Sequence, residues 1–210
     1  KPYSTVKNVS YDAKDLYIKW YEDGTLNVAA NCLDRHLEKR GDQTAIIFEG
    51  DDPNVSEHIT YRDLYERTCR FANALKTMGV AKGDRVFLFM ERVPELFFAL
   101  FGALKLGAIA GPLFSAFGPE PVKDRMLDSG ASVLVTAPDL RKRIEGILPD
   151  LPDLKRIIIV NKGGRSKEPP KQGDLAYEAL VSEASTDFEV AETTMNDYSI
   201  MHYTSGTTGK

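Results

Sequence analysis

Residues Leu96 to Phe114 constrain the fold more than any other stretch, being almost wholly apolar with Lys105 as the one charge among them. A membrane-spanning helix needs about 20 apolar residues, and this run barely reaches that length. Gly102, Gly107, Gly111 and Pro112 divide it instead into a helix over Pro94–Lys105 and a strand over Ala108–Phe114. A strand apolar on both faces belongs in a parallel sheet with helices above and below.

The same alternation runs through most of the chain. Ala45–Glu49 reads as a strand that turns at Gly50-Asp51-Asp52-Pro53-Asn54, and His58–Thr60 as a short strand with His58 at its edge in a structural role. Thr60 caps the next helix, with Asp63 three residues on completing a capping-box pattern. Leu64, Phe71, Leu75 and Met78 form its inner face, and Gly79 ends it. A turn at Gly83-Asp84 precedes a buried strand over Arg85–Met90. Beyond Phe114–Pro121, a helix with Val122, Met126 and Leu127 inward ends at Gly130. A strand over Ser132–Thr136, a helix over Leu140–Leu148, a strand over Leu154–Val160, a helix over Asp174–Glu183 and a final strand over Tyr198–Tyr203 follow. Strand–helix alternation at these lengths predicts an α/β fold, a doubly wound, mainly parallel sheet with helices on both faces.

Ahead of this body, residues 1–25 hold five aromatics (Tyr3, Tyr11, Tyr17, Trp20, Tyr21) without clear periodicity. They are expected to form an irregular arm with a short helix near Tyr11–Trp20. Leu26–Leu37 carries one helical stripe that Gly41 stops. The division is therefore an N-terminal arm over 1–25 and an α/β portion over 26–210.

A hydrophobic content of 42% and a charged content of 28% are those of an ordinary globular protein. The net charge of −4 lacks the basic excess of nucleic-acid binders. Lys1–Trp20 contains no apolar stretch of signal-peptide type. Two cysteines, Cys32 and Cys69, are too few for a disulfide framework and point to a cytoplasmic setting. Both read as small buried hydrophobes. Neither has a metal-ligand spacing with His36 or His202, so no metal site is read in these residues.

The chemistry-bearing stretch is Tyr203-Thr204-Ser205-Gly206-Thr207-Thr208-Gly209-Lys210. Glycines let backbone N–H groups approach an anion, hydroxyls donate hydrogen bonds, and lysine supplies a point charge. A Walker A loop is excluded on spacing, because Thr204 stands where that motif needs its first glycine. The string resembles the signature loop of the adenylate-forming superfamily. Further blocks are similar to its AMP-forming acetyl-CoA synthetases and their short-chain acyl relatives. These are Asn27–Leu37, Glu49–Pro53, Ile59–Leu64, Cys69–Leu75, Gly83–Val86, Gly107–Ile109 and Phe114–Gly118.

The resemblance implies an acyl-CoA ligase that joins acetate, or a similar short acid, to CoA through an acyl-adenylate, with ATP converted to AMP and pyrophosphate. It implies ATP, CoA and Mg2+ as cofactors, with no Mg ligands in this stretch. Its partners are then a small carboxylate, ATP and CoA, without nucleic acid or membrane. Thr204, Ser205, Gly206, Thr207, Thr208, Gly209 and Lys210 correspond to the ATP/pyrophosphate loop. Lys162-Gly163-Gly164-Arg165 resembles the basic stretch that meets the CoA nucleotide, with lysine where the family usually has its first arginine.

In the family the loop continues with Pro-Lys-Gly and the catalytic constellation lies further on. The chain is therefore expected to be the N-terminal part of a longer enzyme, lacking its own C-terminal part and inactive alone, with no complete catalytic set. Two alternatives stay open: another acyl- or aryl-CoA ligase of the superfamily, and a non-catalytic nucleotide-binding or scaffold module of the same fold.

Overall fold

A computed structural model describes residues 1–161 and 168–204. The arm is a regular β-hairpin rather than an irregular segment with a helix. Strand β1 (Lys7–Asp12) pairs antiparallel with β2 (Asp15–Trp20), from Lys7 opposite Trp20 to Asp12 opposite Asp15. The period that decides this is two, since Leu16, Ile18 and Trp20 alternate with Tyr17 and Lys19. Asp12 stabilises the turn by accepting from the Lys14 backbone N–H at 2.9 Å.

The expected helix at 26–37 is divided. Helix α1 (Val28–Cys32) is capped by the Asn27 side chain, which accepts from the backbone N–H groups of Ala29 and Ala30. The chain breaks helical geometry at Leu33 (φ −120°, ψ −67°), makes a 3-10 turn over Asp34–His36 and resumes as α2 (Leu37–Arg40). The break lets Leu33 enter the core while Asp34 meets the buried Lys105. Cys69 is fully buried as expected, whereas Cys32 is only half-buried beside this break.

A second antiparallel hairpin, β3 (Thr44–Glu49) with β4 (Ser56–Thr60), turns where Gly50 and Pro53 foretell it. Helix α3 (Tyr61–Thr77) follows, its reciprocal capping box formed as Asp63 N–H donates to Thr60 Oγ1 and Thr60 N–H donates to Asp63 Oδ2, both at 3.1 Å. The chain then alternates: β5 (Arg85–Phe89), α4 (Pro94–Leu106), β6 (Ile109–Leu113), α5 (Pro119–Ser129), β7 (Val133–Thr136), α6 (Pro138–Arg143), β8 (Arg156–Ile159), β9 (Leu175–Ala176) and α7 (Tyr177–Ser182). The five strands form one parallel sheet in the order β6-β5-β7-β8-β9.

Side-chain alternation along the sheet builds two cores. Val86, Leu88, Val133 and Val135 face α3, α4 and α7, whereas Phe87, Phe89 and Leu134 face α5 and α6. Gly111 of β6 is required by close approach, because a Cβ there would fall within the Phe87 ring on the neighbouring strand. Gly107 ends α4 in the left-handed region at φ 78°.

Three further expectations shift in detail. Leu127 is 43% exposed, because the buried stripe of α5 is Val122, Met126 and Ser129, spaced four and three apart. The helix expected at Leu140–Leu148 starts at Pro138, ends at Arg143 and continues as a 3-10 segment over Glu145–Asp150, where Gly146 and Pro149 disfavour α geometry. The helix expected from Asp174 begins at Tyr177, since Leu175 and Ala176 pair with Ile158 and Ile159 of β8. Among the described residues no helix is long and apolar enough to cross a membrane.

Candidate functional site

The hydroxyl-rich loop is delivered by the segment 198–204. The strand expected there is reduced to one parallel bridge between Ile200 and Ala110 of β6. Ala110 N–H donates to the Ser199 carbonyl and Met201 N–H donates to the Ala110 carbonyl, both at 2.9 Å. Because the bridge is parallel, the segment runs toward the carboxyl end of β6, the end of such sheets where ligands gather. Thr204 is exposed there. Ser205, Gly206, Thr207, Thr208, Gly209 and Lys210 lie outside the described residues, as do Lys162, Gly163, Gly164 and Arg165. The described residue before that basic stretch is Asn161, just past β8, whose backbone N–H donates to Glu178 at 3.3 Å.

Tyr203, next to the loop, is held by helix α5. Its hydroxyl donates to Asp128 Oδ2 at 2.6 Å. The Arg125 guanidinium lies over the Tyr203 ring at 5.4 Å and over the Phe117 ring at 4.5 Å. Arg125 is itself oriented by donating from Nη1 to the Pro121 carbonyl at 2.8 Å. Burial first, then the bond to Asp128 and its negative charge, push the Tyr203 hydroxyl up to about 12, so it stays a donor at neutral pH. Sequence reasoning did not find Arg125 or Asp128. Charges three apart on a helix carry no local sign of a contact 75 residues away.

A cleft of about 1000 Å3 opens between the β3–β4 turn and the residues that follow β5 and β6. Its walls carry Glu49, Asp51, Asp52, Glu57, Glu91 and Glu95 against Arg92. A cleft with that balance repels phosphate. Among the described residues no group of three or more His, Cys, Asp and Glu is arranged to hold a metal ion. Cys69 offers no nucleophile either, since burial pushes its thiol up and away from thiolate. His58 is exposed on β4.

The AMP-binding enzyme family matches residues 33–210. The chain is 44% identical over 221 aligned residues to an acetyl-coenzyme A synthetase of Marinobacter nauticus, covering all of this chain and 34% of that protein. It is 42% identical, with the same coverage, to an acetyl-coenzyme A synthetase of Yersinia pestis. It thus spans about a third of the length of the curated relatives it matches. Among solved structures it resembles the anthranilate CoA ligase AuaEII in complex with anthranoyl-AMP, with TM-score 0.78 and 31% identity over 88% of this chain and 33% of that one. An acyl-CoA synthetase of Brucella canis gives TM-score 0.76 and 30% identity over 89% and 33%. The sheet order, the approach to its carboxyl edge and the match from residue 33 onward agree: the chain belongs to the AMP-binding enzyme family.

Proposed function

We propose that the chain is the N-terminal portion of a cytoplasmic, AMP-forming acyl-CoA ligase whose acid is acetate or a similarly short carboxylate. The observation that carries this reading is the 44% identity to an acetyl-coenzyme A synthetase over an alignment that covers the whole chain. In the first step a carboxylate oxygen attacks the α-phosphorus of ATP, and the bond to pyrophosphate breaks. In the second the CoA thiol attacks the acyl carbon, and AMP leaves.

This chain's part is to bind and neutralise. Thr204, Ser205, Thr207 and Thr208 would donate hydroxyl hydrogen bonds, Gly206 and Gly209 would let backbone N–H groups approach, and Lys210 would supply charge to the departing pyrophosphate. The acidic cleft favours placing the phosphates at this loop rather than between the β3–β4 turn and β5. Lys162, Gly163, Gly164 and Arg165 would meet the CoA nucleotide; their attachment to Asn161, at the carboxyl end of β8, supports that role. Mg2+ would accompany ATP, its protein ligands contributed from outside this stretch.

The test is carboxylate-dependent ATP–pyrophosphate exchange by the complete protein, with acetate, propionate, butyrate and anthranilate as acids. Acetate or propionate should support exchange best, and Lys210→Ala should lower it about 10²- to 10³-fold, the loss typical of one missing transition-state donor. Wild-type exchange with none of these acids would favour a non-catalytic nucleotide-binding module. Exchange driven best by anthranilate would move the protein to the aryl-CoA ligases.

A further inference from the structure

We propose that Asp128 of α5, acting through the Tyr203 hydroxyl, is a positioning residue that sets where the hydroxyl-rich loop departs from the sheet. This rests on the reading of that loop as the pyrophosphate site.

Two independent anchors converge on the residues before the loop. The backbone anchor is the Ala110–Ile200 bridge, with its two 2.9 Å hydrogen bonds to β6. A parallel bridge alone fixes direction and leaves the following residues free to swing about one point. The side-chain anchor removes that freedom. Tyr203 Oη reaches Asp128 at 2.6 Å, while the face of its ring meets Arg125, which also covers Phe117. Phe117 in turn packs edge-to-face on Phe114 at 5.7 Å and 88°. One anchor thus lies on β6 and the other in the last turn of α5, the helix that follows it.

Charge separates this role from the plainer one of core filling. Asp128 is exposed, and a carboxylate near a phosphate loop works against phosphate through space. Arg125 beside it offsets part of that charge. Any favourable effect of Asp128 on the loop must then come through the hydrogen bond it accepts. The bond is short and charge-assisted, the class that carries geometric restraint as well as energy. Tyr203 is only half-buried, so its ring makes a modest packing contribution by comparison.

The test uses the complete protein in acetate-dependent ATP–pyrophosphate exchange, with Tyr203→Phe, Asp128→Ala and Asp128→Asn. The first keeps the ring and removes the donor, the second removes the carboxylate acceptor and leaves only the more distant Arg125 carbonyl at 3.3 Å, and the third restores a side-chain acceptor oxygen without the charge. We expect Tyr203→Phe and Asp128→Ala each to lower kcat/KM for ATP about ten-fold, short of the ~10²-fold that a 1 Å misplacement near the chemistry can cost. KM for acetate and the thermal midpoint should stay near wild type, and Asp128→Asn should recover most of the loss. A falling midpoint with unchanged kcat/KM per folded molecule would make the contact structural and overturn the proposal. So would equal losses in Asp128→Asn and Asp128→Ala, which would assign the effect to charge. A wild-type protein inactive with every carboxylate, by contrast, would refute the pyrophosphate reading and the positioning role with it.

Discussion

The Asp34–Lys105 pair offers the sharpest test of how this fold is held together. Lys105 interrupts the apolar face of α4 and is fully buried, with Nζ at 2.7 and 2.8 Å from the two Asp34 carboxylate oxygens and 4.1 Å from the Tyr65 ring centroid. The Asp34 side chain is 27% exposed, so the two partners differ in what each loses when the other is removed. Asp34→Ala leaves a desolvated ammonium supported by the Tyr65 face, a contact worth about 2 kcal/mol when dry. Breaking a buried pair from one side costs about 3–5 kcal/mol, and partial solvent access at Asp34 puts this case near 3 kcal/mol. Lys105→Met removes the charge, keeps the length of the stem and leaves a carboxylate that water already reaches. Its cost should stay within about 1 kcal/mol. The double variant should resemble Lys105→Met, giving a coupling of about 3 kcal/mol in magnitude, the whole cost of Asp34→Ala.

Urea unfolding of the chain followed by far-UV circular dichroism reads this directly. Trp20 is the single tryptophan and sits on the β1–β2 hairpin, so its fluorescence would report the arm instead. A loss of about 3 kcal/mol with a typical urea slope moves the midpoint by roughly 1 to 2 M. Equal losses in the two single variants, or a larger one in Lys105→Met, would refute the claim that the ammonium is the member dependent on its partner.

Two further outcomes follow from the geometry. Gly111→Ala drives a methyl into the Phe87 ring between β5 and β6 and should cost about 1–3 kcal/mol by overpacking, measured as a urea midpoint shift; a neutral result would mean that Phe87 has room to move. Asp23 accepts from the Ser4 hydroxyl and from the backbone N–H groups of Ser4 and Thr5, which hold its carboxyl down from 3.8 to about 2. A depressed folded value places the stabilisation above the unfolded pKa and loses it as pH falls through the folded one. The arm should therefore loosen between about pH 4 and pH 2, seen in Trp20 fluorescence, and Asp23→Asn should flatten that change.

The parallel sheet was legible because its signal is local. A strand buried on both faces must be apolar throughout, and Val86–Phe89 and Val133–Val135 are. The Thr60–Asp63 capping box was legible for the same reason, its partners lying three residues apart. The arm was misread because five aromatics drew attention from the period-two pattern of Leu16, Ile18 and Trp20. Strand β9 and the break at Leu33 depend on partners far along the chain, Ile158 and Ile159 for the one and Lys105 for the other. At the candidate site, composition marked Thr204–Lys210, of which Thr204 alone is among the described residues. The contacts of Tyr203 with Asp128 and Arg125 arise only once α5 packs beside β6.

Which strand carries the loop is a separate question from which end of the sheet does. In the order β6-β5-β7-β8-β9, β5 sends its connection through α4 on one face and β7 sends its own through α6 on the other. The general rule for such sheets places a ligand crevice between those two strands. Here the residues that leave them, Met90 and Ala137, are buried at 4% and 8% exposure and bring no polar side chain. The segment 198–204 instead returns to the outer side of β6, held by two backbone hydrogen bonds and by the Tyr203–Asp128 contact. The parallel bridge thus sets the direction of this segment, and the Tyr203–Asp128 bond ties it to α5 beside the edge strand.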